Sequence, residues 1–202
     1  MKIGPKYKIA KRLGASIFEQ TQTQKFQLSQ ARSERTTKRR APKSDYAKQF
    51  LEKQKVRFTY GITEKQFKNY ILKSMSGKNV NPSEVLFKAL ESRLDNAVYR
   101  MGIAHTRRAA RQLVSHGHII INGKRVTIPS YSVKPSEIVT IRIGSQTSPL
   151  FTELKTKLKD YTAPSWVVFD VEKGEGKVVG SPTYTKTDLA FDLTPVLEFY
   201  SR

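Results

Sequence analysis

The sequence of 202 residues contains no cysteine, which excludes disulfides and thiolate zinc sites. Acidic residues are scarce as well: 17 stand against 37 lysines and arginines, for a net charge of +20. A chain this basic repels itself unless a polyanion supplies the counter-charge, so a permanent anionic partner is expected. Long apolar runs are missing, and none approaches the roughly 20 residues that span a bilayer. Residues 1–14 alternate bases with single apolar residues and lack the hydrophobic stretch of a signal peptide. Together these absences point to a cytosolic or organellar interior.

What is present is unevenly spread. Residues 1–60 hold 16 bases and 4 acids, residues 61–150 hold 14 and 5, and residues 151–202 hold 7 and 8. The basic surface therefore belongs to the first three-quarters of the chain, leaving a near-neutral tail suited to packing or to a protein neighbour. Residues 1–43 are basic, rich in Gln, Ser and Thr, and poor in large apolar residues, so they read as an arm that orders on its partner.

Helical signals begin at Ser44, which can cap a helix through Phe50, Leu51 and Val56 to Tyr60, with Gly61 as its stop. Thr63 and Gln66 form a capping box for a second helix carrying Phe67, Tyr70 and Ile71. Asn81, Pro82 and Glu84 open a third, which either continues past Ser92 or breaks there before Leu94, Val98 and Met101. Thr106 caps a fourth, ended by Gly117. Strand signals follow at 119–121 and 124–126, joined by Asn122-Gly123, a pair suited to the positive φ angles of a type I′ turn. A further strand is expected at 138–143, a second hairpin at 166–171 and 177–179, and a short final helix from Thr194 and Pro195 through Phe199.

On the fourth helix Arg107 and Arg111 are four residues apart and share a stripe, with Arg108 beside it and Ala110, Leu113 and Val114 largely opposite. The arginines are expected to face outwards, and Lys124 and Arg125 to extend the same surface. Guanidinium forks suit phosphate oxygens, and an A-form duplex offers mainly backbone and 2′-hydroxyls.

The segments Ser92-Arg-Leu-Asp-Asn-Ala-Val-Tyr-Arg-Met-Gly102, Thr106-Arg-Arg-Ala-Ala-Arg-Gln-Leu-Val-Ser-His-Gly-His118 and Ile121-Asn-Gly-Lys-Arg-Val126 resemble the RNA-binding module of the small-subunit ribosomal protein four family. Ile128-Pro-Ser-Tyr-Ser-Val-Lys-Pro135, Gly4-Pro-Lys6, Glu52-Lys-Gln-Lys-Val56, Tyr60-Gly61 and Glu64-Lys-Gln-Phe67 extend the resemblance over most of the chain. It implies an α+β fold: a mostly helical domain, an inserted RNA-binding module of two helices on a small, mainly antiparallel sheet, and a basic N-terminal arm. The expected divisions are 1–43 for the arm, 44–91 with 182–202 for the helical domain, and 92–181 for the module, its core at 92–143.

The resemblance further implies a structural constituent of the small ribosomal subunit that binds its RNA directly and early in assembly. The place implied is near the messenger entrance, beside ribosomal protein five with protein three as a second candidate neighbour, and with a role in translational accuracy. Some bacterial members repress their own translation. One branch binds zinc through cysteines in the arm, but Tyr7 and Ala10 stand where the first two would be.

The candidate RNA contacts are Arg93, Arg107, Arg108, Arg111, Lys124 and Arg125 in the module. To these are added Lys6, Lys11, Arg12, Arg35, Lys38, Arg39 and Arg40 in the arm, and Lys53, Lys55 and Arg57 in the helical domain. Of the aromatic residues, Tyr7 is the one read as a base-stacking candidate, while Tyr46, Tyr60 and Trp166 are read as packing. No catalytic residue, cofactor or metal is expected. Arg93-Leu-Asp95 is similar to the catalytic stretch of pseudouridine synthases, but no catalytic domain accompanies it, and Asp95 is read as a helix-surface or capping residue. His105, His116 and His118 have no nearby acidic or cysteine co-ligand in sequence.

Overall fold

Ser44 and Thr63 start their helices where the sequence places them. Ser44 Oγ accepts from Ala47 N at 3.3 Å, and Thr63 with Gln66 closes a reciprocal capping box. The computed structural model describes residues 3–14, 17–36, 44–77, 81–152, 154, 158, 161–170, 173–185 and 189–201. The chain packs as two units, Met1–Ser83 with Thr185–Arg202, and Glu84–Tyr184.

The first unit is helical: α1 (Lys6–Leu13), a 3-10 turn (Glu19–Thr21), α2 (Gln24–Thr36), α3 (Asp45–Tyr60) and α4 (Glu64–Met75). The final helix, α10 (Thr194–Tyr200), belongs to the same unit and packs on α3 and α4. Phe67 meets Tyr200 edge-on at 6.3 Å, and Tyr46 lies 5.4 Å from Phe199, so the neutral tail is absorbed into the helical core. Tyr60 is buried against Phe191, whereas Tyr46 stays exposed on one side despite its ring neighbours.

The N-terminal segment has more structure than an arm without a core. Ala10, Phe18 and Phe26 are buried together, with Phe58 of α3 against them, and Gly14 ends α1 in the left-handed region at φ 68°. Ile9-Ala10, Ile17-Phe18 and Phe26 are short apolar islands among polar residues in sequence, and Phe58 completes their cluster from another helix. Lys38, Arg39 and Arg40 lie outside the described residues, as does the side chain of Arg35.

The second unit holds the α+β module. Here α5 (Pro82–Glu91) ends and α6 (Leu94–Arg100) begins afresh, so the helix breaks at Ser92. After it come α7 (Arg107–Ser115), β1 (Ile119–Ile121), β2 (Lys124–Arg125), β3 (Ile138–Ile141), the short helices α8 (Ile143–Gln146) and α9 (Pro149–Thr152), β4 (Val167–Asp170) and β5 (Glu175–Val178). The five strands form one antiparallel sheet in the order β2-β1-β3-β5-β4.

Asn122 and Gly123 both have positive φ, at 47° and 78°, which is the type I′ geometry that the first hairpin requires. Asn122 Oδ1 also accepts from Ile138 N at 2.9 Å, tying the turn to β3. One face of the sheet is covered by α6 and α7. Leu94, Val98, Met101, Ala110 and Val114 are fully buried against Ile119, Val139 and Val178. Trp166 is buried in this core and packs there.

Candidate nucleic-acid interface

Strong basicity of the module coexists with two buried acids. Glu91, at the end of α5, is 1% exposed, and Asp95, in the first turn of α6, is 2% exposed. Carboxylates are stable there only when paired. Asp95 accepts from Arg93 through Nε at 3.0 Å and Nη2 at 2.8 Å, and from Arg111 through Nε at 2.8 Å and Nη2 at 2.7 Å. Glu91 accepts from Arg100 through Nε at 2.8 Å and Nη2 at 2.9 Å, with Arg107 Nη2 at 3.9 Å. Asn96 ties Arg107 to Glu91, donating to Glu91 Oε2 at 2.8 Å and accepting from Arg107 Nε at 2.7 Å. The Arg107 guanidinium also stacks on Tyr99, 4.4 Å from the ring centre.

Four guanidiniums thus surround two carboxylates, and the cluster carries a formal excess of two positive charges. Arg93 is buried beneath it, whereas Arg100, Arg107 and Arg111 are part-exposed, at 27%, 16% and 27% of their side-chain surface. The expectation that Arg107, Arg108 and Arg111 all point freely outwards is corrected. Arg107 and Arg111 lie on the stripe that meets α6, where the acids of α5 and α6 clamp them; Arg108 alone of the three is exposed. Asp95 is likewise neither a surface nor a capping residue, because two guanidiniums hold it inside. Arg93 is an internal counter-ion.

Lys124 and Arg125 are exposed on β2, and Arg125 Nη2 donates to His116 O at 3.1 Å. In the first unit Lys11 and Arg12 are exposed on α1, with Lys11 Nζ donating to Ser29 Oγ at 2.7 Å, and Lys6 is half-buried. Tyr7 is exposed beside Phe26.

The three candidate RNA-contacting bases of α3 are engaged within the protein. Lys53 is buried, pairs with Glu64 at 2.7 Å and lies within 5 Å of the ring centres of Phe50 and Phe199. Lys55 pairs with Glu52 at 2.6 Å and Arg57 with Glu64 at 3.2 Å. Burial opposes ionisation of Glu64, but hydrogen bonds from Lys53 and Tyr200 and the charges of Lys53 and Arg57 outweigh it. The carboxyl is held below its usual range. Burial and the same hydrogen bond push the Tyr200 hydroxyl well up.

Sequence reasoning missed Glu91, Asn96 and Arg100, the partners that organise the arginines. Their signal was present in a weak form, as two acids and an asparagine in an otherwise basic stretch that opens an apolar helix.

Residues 1–91 match the family model described as Ribosomal protein S4/S9 N-terminal domain, and residues 92–139 match the model described as S4 domain. Small ribosomal subunit protein uS4 of Persephonella marina is 40% identical over 201 residues, covering 98% of each chain. The chain belongs to the uS4 family. Relatives of the same name from Oenococcus oeni, 39% identical over 200 residues, and Christiangramia forsetii, 39% over 199, each cover 98% of this chain and at least 97% of their own. The uS4 family is one of ribosomal proteins and not an enzyme family. The matched S4 domain spans α6, α7 and the first hairpin, and so carries Asp95, all four clustered arginines and the exposed bases Arg108, Lys124 and Arg125, while Glu91 is the last residue of the preceding match.

Proposed function

We propose that this chain is a structural component of the small ribosomal subunit, bound directly to its ribosomal RNA through the module and the basic N-terminal segment. The observation that carries the reading is the clamped arginine cluster within a chain of the uS4 family. Carboxylates that fix the guanidiniums before RNA arrives lower the side-chain entropy lost on binding. Part-exposed Arg100, Arg107 and Arg111 with exposed Arg108, Lys124 and Arg125 form the phosphate-facing set. Lys6, Lys11, Arg12, Arg35, Lys38, Arg39 and Arg40 are the further candidate contacts, in the sequence of the N-terminal segment. Lys53, Lys55 and Arg57 have acids of their own and serve the helical unit first.

On this reading the protein binds naked small-subunit RNA early in assembly and needs no other protein to do so. It sits near the messenger entrance beside ribosomal protein five, with protein three as a second neighbour, and contributes to translational accuracy. Its place is the ribosome of a cytoplasm or an organelle. The divisions 1–43, 44–91 with 182–202, and 92–181 remain the proposed functional parts.

The test is an affinity titration of the intact protein on a transcript of the 5′ domain of small-subunit RNA at several salt concentrations, with an unrelated RNA of equal length beside it. A preference for the ribosomal transcript, with log K falling by roughly 0.7–0.9 per phosphate engaged for each tenfold rise in salt, is expected. In cells the protein should sediment with the small subunit through a high-salt wash. A free pool and equal affinity for both RNAs would overturn the reading.

A further inference from the structure

All three histidines of the chain, His105, His116 and His118, line one pocket of about 240 Å³ in the module unit. Buried Ile103, Ala104 and Leu113 give it an apolar lining, and Leu150 and Leu154 add to this from the segment after β3. The volume lies below the roughly 300–1,000 Å³ typical of drug-sized ligands and suits a single planar ring system.

The edge of the pocket is polar and basic. Arg108, Gln112 and His116 recur every four residues along α7 and its C-cap, so they share one stripe, and all three are exposed. Arg125, donating to the carbonyl of His116, brings a second guanidinium to the same edge. His118 is held in place: its Nδ1 lies 2.9 Å from Ser145 Oγ, and its ring meets Phe151 edge-on at 6.1 Å. The His116 ring is 6.2 Å away.

We infer that this pocket takes one unpaired RNA base, turned out of its strand, with the flanking phosphates on Arg108 and Arg125. The inference rests on the RNA-binding reading above. A base has apolar faces for the aliphatic lining and a hydrogen-bonding edge for Gln112 and the imidazoles, and it arrives on an anionic backbone. An apolar side chain of a protein would bring neither a hydrogen-bonding edge for Gln112 and His116 nor an anion for Arg108 and Arg125.

Because no other histidine exists in the chain, imidazole proton signals in NMR report on this pocket alone. The intact protein is titrated separately with AMP, UMP and ribose 5-phosphate. At least one nucleotide should shift the His116 and His118 signals at a concentration about fivefold or more below that needed by ribose 5-phosphate. Ala109→Phe, which fills the pocket, should abolish the response, and Gln112→Ala at the exposed edge should weaken it if the first variant fails to fold. Equal response to ribose 5-phosphate would reduce the site to an anion contact and overturn the proposal. Saturation by N-acetylphenylalanine amide without a nucleotide response would assign it to a protein side chain, with the same result. A ribosomal transcript that binds without moving these signals sinks the pocket and leaves the RNA-binding reading intact. A nucleotide response without transcript binding does the reverse.

Discussion

Replacing Asp95 with asparagine removes one charge from a site where two guanidiniums converge, and its consequence can be worked from the geometry. The Asp95→Asn side chain keeps one acceptor oxygen but turns a donating amide towards Arg93 or Arg111. Arg111 is part-exposed and can recover water. Arg93 is 3% exposed and cannot, so its buried charge loses the carboxylate charge that faces it. Breaking a buried pair in this way costs about 3–5 kcal/mol. Folded domains are stable by about 5–15 kcal/mol, so the loss is a large share of the total. For a unit of about 100 residues each kcal/mol moves Tm by roughly 4–8 °C, and the expected fall is about 12–40 °C. The assay is thermal unfolding of the intact chain by circular dichroism, repeated for Arg93→Leu and for the double variant Arg93→Leu/Asp95→Leu. The double variant should lose less than the two single variants added together, since it removes both charges at once. An Asp95→Asn protein melting within about 3 °C of the parent, with additive single and double variants, would refute the view that these charges hold each other inside.

Three other outcomes follow from the same structure. Arg108→Gln should leave Tm unchanged but weaken RNA binding and make the salt slope shallower by about 0.7–0.9, whereas Arg107→Gln/Arg111→Gln should also lower Tm because Glu91 and Asp95 lose partners; equal melting of the two proteins would count against the clamp. Gly176→Ala places a Cβ 2.5 Å from Met101 Sδ and 3.2 Å from Phe169 Cδ2, so a loss of about 1–3 kcal/mol in urea unfolding is expected, and no loss would mean that β5 can shift away. Glu64 has a folded pKa below its ordinary 4.5, so its contribution to stability is present above that value and fades as pH falls through the lowered folded pKa. Tm measured from pH 7 to pH 3 should therefore fall less steeply in Glu64→Gln than in the parent, and parallel acid limbs would show that Glu64 is not part of the acid response.

Much of the scaffold was legible because local rules wrote it. Caps at Ser44, Thr63 and Thr106 act within three residues of themselves, and Asn122-Gly123 sets its own turn angles, so each could be read from a short window. The family resemblance was also legible, since it rests on ordered residue types. Less was legible about which bases face outwards. Helical periodicity put Arg107 and Arg111 on a common stripe but could not say what lay against it.

The sequence by itself determined the α+β character, the hairpin, the excess of positive charge and its confinement to the first three-quarters of the chain. Tertiary structure alone decided which of those charges are spent inside. Tyr200 reaches Glu64 across 136 positions, Arg111 reaches Asp95 across 16, and Phe58 closes a cluster begun at Ala10. An acid four residues from a base can be foreseen from the pitch of a helix. An acid brought to it by the packing of another helix is fixed only when the core forms, because the apolar faces set where the helices cross and the charges must pair wherever that crossing leaves them.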